Sequence, residues 1–186
     1  MKKHIITACL YTVVTAILLG LAYPLLITGL ARLAFRNNAD GQLIVRNGEV
    51  VGSKLIGQPF TGAGYFHSRP SAAGAGYDAS ASAGSNLGPT NTALVNRVEA
   101  SVKAEKSGAP VPIDLVTASG SGLDPDLSPA AALYQVPRVA RERGLAEAVV
   151  RRVVMNTITP RQFGLFGEPT VNVLSLNMAL EKMKAR

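Results

Sequence analysis

The feature that most constrains this chain is an apolar segment near its start. Ile5 to Leu30 is a run of 26 residues without a charged side chain. As an α-helix rising about 1.5 Å per residue it would be about 39 Å long, more than the roughly 30 Å hydrocarbon layer of a bilayer. Apolar side chains are unfavourable in water, so the sequence predicts that this segment is one transmembrane helix. Because the helix is longer than the hydrocarbon layer, some tilt is expected.

A cleaved signal peptide is the alternative interpretation of this segment. Lys2 and Lys3 form a basic start, and Gly20–Ala22 or Gly29–Ala31 could serve as a weak cleavage site. The apolar stretch is longer than the apolar core of a secretory signal, which runs to about 15 residues, and this favours a retained anchor.

The orientation of the anchor does not follow from charge. Lys2 and Lys3 before the segment are balanced by Arg32 and Arg36 after it. The short tail ahead of the segment favours a cytoplasmic amino terminus. We therefore expect the remainder of the chain to lie outside the cytoplasm.

One face of the predicted helix consists of small residues. Ala8, Thr12, Ala16 and Gly20 recur every four positions, a spacing that lets a second membrane helix approach closely. Small residues are also common in any spanning helix, so both interpretations stay open. Pro24 is expected to bend the helix.

The composition indicates one further domain. Residues 1–36 form the tail and anchor, and residues 37–186 are enough for one soluble extracytoplasmic domain with its own core. The chain carries a net charge of +7, and +5 without Lys2 and Lys3. A basic domain can meet anionic lipids, acidic partners or nucleic acid, but no nucleic-acid-binding motif is present. The single cysteine, Cys9, lies in the anchor, so the domain has no disulfide.

Strands and helices alternate irregularly along the domain, which predicts an α+β fold. Asn47-Gly48 between two β-branched runs predicts a hairpin. Residues 71–90 are rich in Gly, Ala and Ser and predict a flexible loop. The further predicted elements are a helix capped by Thr90 or Asn91, a buried strand over Ile113–Ala118, a helix starting at Ser128-Pro129 and interrupted by Pro137 before it ends at Gly144, a helix over Leu145–Val154, a strand over Val171–Leu174 and a final helix.

The chain offers few candidates for catalysis or metal binding. His67 is the one histidine after the anchor, and a hydrolase would have to combine it with Ser119 or Ser121. A structural histidine fits the pattern better. Asp124 and Asp126 could hold calcium only if further oxygen ligands converged on them. A structural role in a turn or a helix cap is the simpler interpretation. The sequence therefore predicts no catalytic residue and no metal site.

A group of arginines follows the predicted turn. Its members are Arg138, Arg141, Arg143, Arg151 and Arg152. A solvated helix face is the simpler interpretation, and a docking patch is the alternative.

Several blocks of the sequence, taken in order, resemble one family. They are Gly52–Gln58, Tyr65–Ala72, Ser85–Asn91, Asp114–Pro125, Ser128–Ala140 and Gly167–Asn177. In their order and spacing, behind one anchor, they resemble the C-subunit family of the bacterial Kdp-type potassium-transporting ATPases. The positions that match the family motifs are Gly57, Gln58, Tyr65, Phe66, Arg69, Pro70, Ser71, Asn86, Gly88, Asn91, Ser119, Gly120, Ser121, Gly122, Asp124, Asn172 and Asn177. The chain departs from the family pattern at His67, often Trp, and at Asp126, often His.

The resemblance implies a non-catalytic accessory subunit of an ATP-driven potassium import pump in the bacterial inner membrane. Its implied partners are a channel-like potassium-translocating subunit and a P-type ATPase subunit, and ATP and K⁺ are handled by the complex. The family is also credited with promoting ATP use by the catalytic subunit as a catalytic chaperone that shares the nucleotide. An extracytoplasmic domain would not meet cytosolic ATP, so we expect any such influence to pass through the anchor.

Three further interpretations stay open. Asp124, Asp126 and Glu168 could favour cations near the external potassium entrance. An anchored hydrolase and a pilin-like structural protein are the alternatives to a pump subunit. The pilin-like interpretation lacks the glutamate usual near the start of such helices.

Overall fold

The structure, a computed structural model, describes residues 1–105 and 108–184. Its helices are α1 (Lys2–Ile17), α2 (Tyr23–Ala34), α3 (Arg36–Ala39), α4 (Thr92–Glu105), α5 (Pro129–Arg143), α6 (Glu147–Thr157) and α7 (Val173–Lys184), with a π-helical segment at Leu18–Ala22 and 3₁₀ turns at Ala79–Ala81 and Ile113–Leu115. Its strands are β1 (Leu43–Arg46), β2 (Glu49–Ser53), β3 (Asp126–Leu127), β4 (Ile158–Thr159) and β5 (Thr170–Asn172). Mixed helix and sheet after one apolar helix confirms the predicted α+β class.

The chain divides into two compact units, Met1–Val51 and Gly52–Arg186. The division lies within β2, so most of the β1–β2 hairpin groups with the apolar helix. The boundary predicted from the sequence lies earlier, after Arg36.

The first unit is dominated by one continuous helical run. It covers Lys2–Ala34, 33 residues, and is the one helix in the described part of the chain that is long and apolar enough to cross a membrane. None of its residues is buried. The π segment ends at Ala22, two residues before Pro24, whose ring removes one backbone donor. Tyr23 N donates to Leu18 O, five residues back. A π turn at a proline is the local irregularity expected of such a helix.

The predicted hairpin is confirmed. β1 and β2 pair with each other. The turn residues Asn47 and Gly48 have φ of +55° and +85°. Two successive positive φ angles are required by the turn that matches the twist of paired strands, and Asn-Gly adopts them most readily.

The second unit is built on a short antiparallel sheet in the order β3-β5-β4. Val171 of the central strand lies opposite both Leu127 and Ile158. Helices α5, α6 and α7 pack around this sheet. The core cluster contains Phe66, Leu115, Leu127, Ala131, Ala132, Val136, Val139, Ala140, Val150, Val154, Val171, Val173, Leu176 and Leu180.

The ends of α5 follow the sequence predictions, whereas its middle does not. Ser128 Oγ accepts a hydrogen bond from Ala131 N, 3.2 Å away, as an N-cap. Gly144 ends the helix in the left-handed conformation, with φ of +64°. The predicted interruption at Pro137 is wrong, because the helix passes through it. Core residues on both sides, Val136 and Val139, bury fully and offset the missing hydrogen bond.

The predicted buried strand over Ile113–Ala118 is also wrong. Ile113–Leu115 is a single 3₁₀ turn that starts after Pro112. Leu115 and Val116 are buried, but Ile113 is 70 % exposed. A run of apolar residues cannot by itself distinguish a strand from a short turn whose apolar side chains face both ways.

Candidate functional site

Two buried amide side chains hold the backbone of Phe66 and His67. Asn177 on α7 accepts from Phe66 N and donates to Phe66 O, both at 2.9 Å. Gln135 on α5 accepts from His67 N at 2.8 Å and donates to His67 O at 3.1 Å. Each amide thus satisfies the backbone donor and acceptor of one residue, the buried Phe66 or the half-buried His67, as a neighbouring strand would. We call residues 63–68 the clamped segment.

Two arginines bind the carbonyl oxygens at the start of the clamped segment. Arg138 donates to Ala63 O at 2.5 Å and to Tyr65 O at 3.0 Å, and Arg143 donates to Gly64 O. Burial lowers the pKa of the Arg138 guanidinium. The interpretation of the arginine group as one solvated face is therefore wrong for these two side chains, whereas Arg151 and Arg152 are exposed.

Tyr65 links the clamped segment to α7. Its hydroxyl donates to Glu181 Oε1 at 2.7 Å, and the Arg143 guanidinium lies 4.8 Å from its ring centroid. The hydrogen bond to Glu181 raises the pKa of Tyr65, as does partial burial. This family-motif position therefore has a defined packing role.

Arg69 ties the next part of the chain to the turn before β3. Its guanidinium lies 3.1 Å from Asp124 Oδ2 and 3.4 Å from Thr117 O. Its own carbonyl accepts from the Tyr77 hydroxyl at 2.6 Å, and burial raises the pKa of that tyrosine. Two family-motif residues far apart in sequence, Arg69 and Asp124, thus form one ion pair.

Ser71 and Gly122 join the loop 71–90 to residues 119–122, which we call the glycine-serine turn. Ser71 Oγ donates to Gly122 O at 2.6 Å and accepts from Tyr77 N at 2.7 Å. Gly122 has φ of +67°, and a Cβ there would lie 2.6 Å from Ala73 N and Ala83 O. Only glycine allows so close an approach.

The acidic residues considered as cation ligands have partners within the protein. Asp124 pairs with Arg69 and also accepts from Asp126 N at 3.1 Å. Asp126 accepts from Asn172 Nδ2 at 3.0 Å, and Glu168 binds Arg161. Within residues 1–105 and 108–184, no three His, Cys, Asp or Glu side chains form a group that could hold a metal ion.

The structure does not bring His67 to either serine that a hydrolase would need. His67 Nδ1 lies 3.4 Å from Glu105 Oε1, and His67 Nε2 lies 3.3 Å from Gly62 O. Ser119 Oγ and Ser121 Oγ lie 3.4 Å from each other, and Ser121 Oγ accepts from Leu123 N. The proposed residues therefore belong to two separate clusters.

The other family-motif positions shape turns and caps. Gly57 N donates to Leu123 O at 2.7 Å, and a Cβ on Gly57 would lie 2.6 Å from Asp124 O. Asn86 has φ of +52°, and Asn91 Oδ1 caps α4 through Ala93 N at 2.8 Å. At two of the remaining positions the backbone carbonyl is bound: Gln58 O accepts from Ser68 Oγ, and Gly88 O accepts from Asn91 N. Pro70 is half-buried, and Gly120 lies in the glycine-serine turn.

The small residues of the apolar helix Lys2–Ala34 lie on its surface. Ala8, Thr12 and Ala16 belong to α1, whereas Gly20 lies in the π segment, and all four are exposed. A Cβ on Gly20 would meet nothing within 4 Å.

Sequence reasoning missed two members of this framework, Gln135 and Tyr77. Gln135 is 1 % exposed, yet a single polar residue in a helix carries no signal of its burial. Tyr77 lies in a segment whose composition predicts only a loop. Only the folded structure shows the backbone groups that these two side chains bind, so neither residue could be identified from the sequence.

Taken together, these contacts define a class of protein: a mixed helix-and-sheet protein with one helix long and apolar enough to cross a membrane, whose second unit, Gly52–Arg186, is braced by buried side-chain hydrogen bonds to backbone. Comparisons with known proteins then make the assignment specific. The family model described as KdpC, the c chain of K⁺-transporting ATPase, matches residues 5–182. The chain belongs to this family, which confirms the resemblance.

Relatives of similar length agree with the assignment. A potassium-transporting ATPase KdpC subunit of Acidobacterium capsulatum is 62 % identical over 182 residues, covering 97 % of this chain and 99 % of the relative. A protein of the same name from Koribacter versatilis is 59 % identical over 184 residues, covering 97 % and 95 %. One from Methylobacterium nodulans is 51 % identical over 201 residues, covering 100 % of both. The assignment favours a pump subunit over a pilin-like protein.

Proposed function

We propose that this chain is a non-catalytic accessory subunit of the potassium-transporting ATPase. It assembles or stabilises the pump and promotes ATP use by the P-type ATPase subunit. Its partners are that subunit and the channel-like potassium-translocating subunit. ATP is hydrolysed and K⁺ is moved by these partners.

The observation that carries the proposal is the apolar helix Lys2–Ala34, none of which is buried, in a chain of this family. At 1.5 Å per residue this helix is about 50 Å long. Its surface needs lipid and protein around it, because apolar side chains in water are unfavourable by about 25 cal/mol per Å². A membrane subunit that contacts its partners through this helix meets that requirement.

The proposed location is the bacterial inner membrane, with the amino terminus in the cytoplasm and Gly52–Arg186 on the outer side. In this orientation cytosolic ATP does not reach the outer unit. An effect on ATP use would pass through the membrane helix to the catalytic subunit. The catalytic-chaperone role is therefore proposed as an action on the complex, without nucleotide bound to this chain.

Copurification from membranes tests the accessory role. An affinity tag on this chain should retain both partner subunits after mild detergent extraction. Incubation with γ-labelled ATP should then place acid-stable phosphate on the P-type subunit, because such pumps form an aspartyl phosphate. Label on this chain, or a tagged chain that emerges without the partners, would contradict the proposal.

The helix contact has its own test. Replacing Ala16 and Gly20 by leucine adds bulk to the small-residue face, where close approach drives association in lipid. Ala22→Leu makes the same kind of change roughly opposite that face and serves as the matched control. We expect the Ala16→Leu, Gly20→Leu protein to lose its partners in detergent and Ala22→Leu to keep them. Equal retention by both proteins would refute a role for this face.

A further inference from the structure

The imidazole ring of His67 lies between two oxygen acceptors. Its Nδ1 is 3.4 Å from Glu105 Oε1, and its Nε2 is 3.3 Å from Gly62 O. A neutral imidazole carries one N–H, so it can donate to only one of these oxygens and turns a lone pair toward the other. The protonated ring carries two N–H groups and can donate to both. The surroundings of this ring therefore match its protonated form.

The contact with His67 holds the carboxyl end of α4. Glu105 is the last residue of this helix, and none of the residues Thr92–Glu105 is buried. The backbone of Glu105 is also bound, because its carbonyl accepts from the Tyr134 hydroxyl of α5 at 2.9 Å. Segments with few buried apolar contacts open at a low cost in free energy. The end of α4 therefore depends on polar contacts, and a change in one of them alters how firmly it is held.

The pair of His67 and Glu105 is half-buried and lies beside a cavity. The two side chains are 26 % and 20 % exposed. Glu105 lines a cavity of about 330 Å³ together with Tyr134, Arg138 and Arg141 of α5. A pair in this position exchanges protons with solvent, yet salt screens it less than a fully exposed pair.

Among the charged groups around this pair, His67 is the one whose charge changes near neutral pH. Arg138 and Arg141 line the same cavity, and Glu142 attracts Arg138. Arginine keeps its charge at all ordinary pH values, whereas a histidine changes charge between about pH 5 and 8. The hydrogen bond with His67 lowers the pKa of Glu105, so this carboxylate stays ionised in that range. The two arginines oppose a positive charge on His67, and the carboxylate in direct contact favours it.

We propose that the contact between His67 and Glu105 is a pH-sensitive switch that holds the carboxyl end of α4 against the clamped segment when His67 is protonated and releases it when His67 is neutral. Loss of the proton removes one of the two hydrogen bonds of the ring and the attraction between opposite charges. Because the bound state favours the proton, the contact is strongest at mildly acidic pH and weakens as pH rises toward 8. In the orientation of the proposed function the switch responds to the pH outside the cell.

Hydrogen exchange of the purified full-length chain in mild detergent tests the switch. Relative to their intrinsic rates, the amides of residues 102–105 should exchange about 3-fold faster at about pH 8 than at about pH 5.5, the scale of a partly exposed ion pair. His67→Gln keeps a polar side chain that cannot be charged, so its relative rates should not depend on pH. His4→Gln is the matched control, because His4 is the chain's other histidine and lies on α1, and it should behave as the wild type. Wild-type rates that do not depend on pH, or the same pH dependence in His67→Gln, overturn the proposal.

A second measurement does not depend on the stability of a variant at His67. In the His4→Gln protein His67 is the sole histidine, so the nitrogen chemical shifts of histidine rings in an NMR spectrum report this residue alone. The pH midpoint at which these shifts change from the protonated to the neutral form should coincide with the midpoint of α4 exchange. Two separate midpoints overturn the proposal. Neither measurement needs the partner subunits, so a failure of the switch and a failure of the proposed function are distinguished.

Discussion

Replacing Asn177 tests most directly how much the clamped segment contributes to stability. Its side chain is 2 % exposed and satisfies both polar backbone groups of Phe66. Asn177→Leu keeps a side chain of similar size but removes its hydrogen-bonding atoms. Phe66 N–H and C=O would then stay buried without partners, because Phe66 is 0 % exposed.

The cost follows from those two orphaned groups. A buried donor or acceptor that loses its partner costs about 1–3 kcal/mol, so two cost about 2–6 kcal/mol. Burial of the leucine side chain returns about 1–2 kcal/mol. With the middle values of these ranges, about 4 kcal/mol lost and about 1.5 kcal/mol returned, we expect the free energy of unfolding to fall by about 2.5 kcal/mol, a large share of the roughly 5–15 kcal/mol typical of a domain.

Urea unfolding of the full-length chain in mild detergent measures this change. The loss of far-ultraviolet circular dichroism from the second unit, Gly52–Arg186, gives the midpoint, and a slope of about 2 kcal/mol per molar urea puts the shift at about 1–2 M. Hydrogen exchange of the Phe66 amide should also accelerate.

The matched control is Asn156→Leu, the same substitution on the exposed surface of α6. It should change stability by less than about 0.5 kcal/mol. If Asn177→Leu is as stable as this control, the clamp does not stabilise the fold and the reasoning is refuted.

Two further predictions concern backbone and pH. We expect Gly122→Ala to destabilise the chain by about 2 kcal/mol more than Gly144→Ala in the same urea assay. Both positions have positive φ, but only at Gly122 would a Cβ meet backbone atoms. The hydrogen bond with His67 lowers the pKa of Glu105 below its ordinary 4.5. The unfolded chain therefore binds the proton more readily than the folded chain. As a result, stability falls as pH drops from about 4.5 through the folded pKa. Glu105→Gln should therefore flatten the dependence of the urea midpoint on pH in that range, and an unchanged slope would contradict this role.

Local signals in the sequence predicted the helix and turn boundaries well. Asn47-Gly48, Ser128-Pro129 and Gly144 each specify a backbone geometry through their own chemistry, and the structure has that geometry at each. The helix predicted after Asn91 is α4, with Leu94 and Val98 half-buried.

Other parts of the fold depend on contacts that one segment does not reveal. β3 and β4 have two residues each, too few for an alternating pattern. The predicted strand over Val171–Leu174 is shorter, because α7 begins at Val173. The core on both sides of Pro137 keeps α5 continuous, which a local rule for proline cannot anticipate.

The contacts within the candidate site likewise could not be predicted from any one segment of the sequence. Motif resemblance picked out Arg69, Asp124 and Asn177, but not that Arg69 and Asp124 would pair. Gln135 holds His67 as Asn177 holds Phe66 and was not predicted, since the need for it arises from the half-buried backbone of His67.

Side-specific labelling tests most directly the claim that this chain is an anchored pump subunit with its second unit outside the cytoplasm. In intact cells that carry Cys9→Ala with Ile113→Cys, the new thiol is on an exposed position of that unit. A membrane-impermeant maleimide should modify it without cell lysis, and the modified chain should sediment with membranes and copurify with the ATPase. Labelling only after lysis, or a modified chain free in the soluble fraction, would contradict the account.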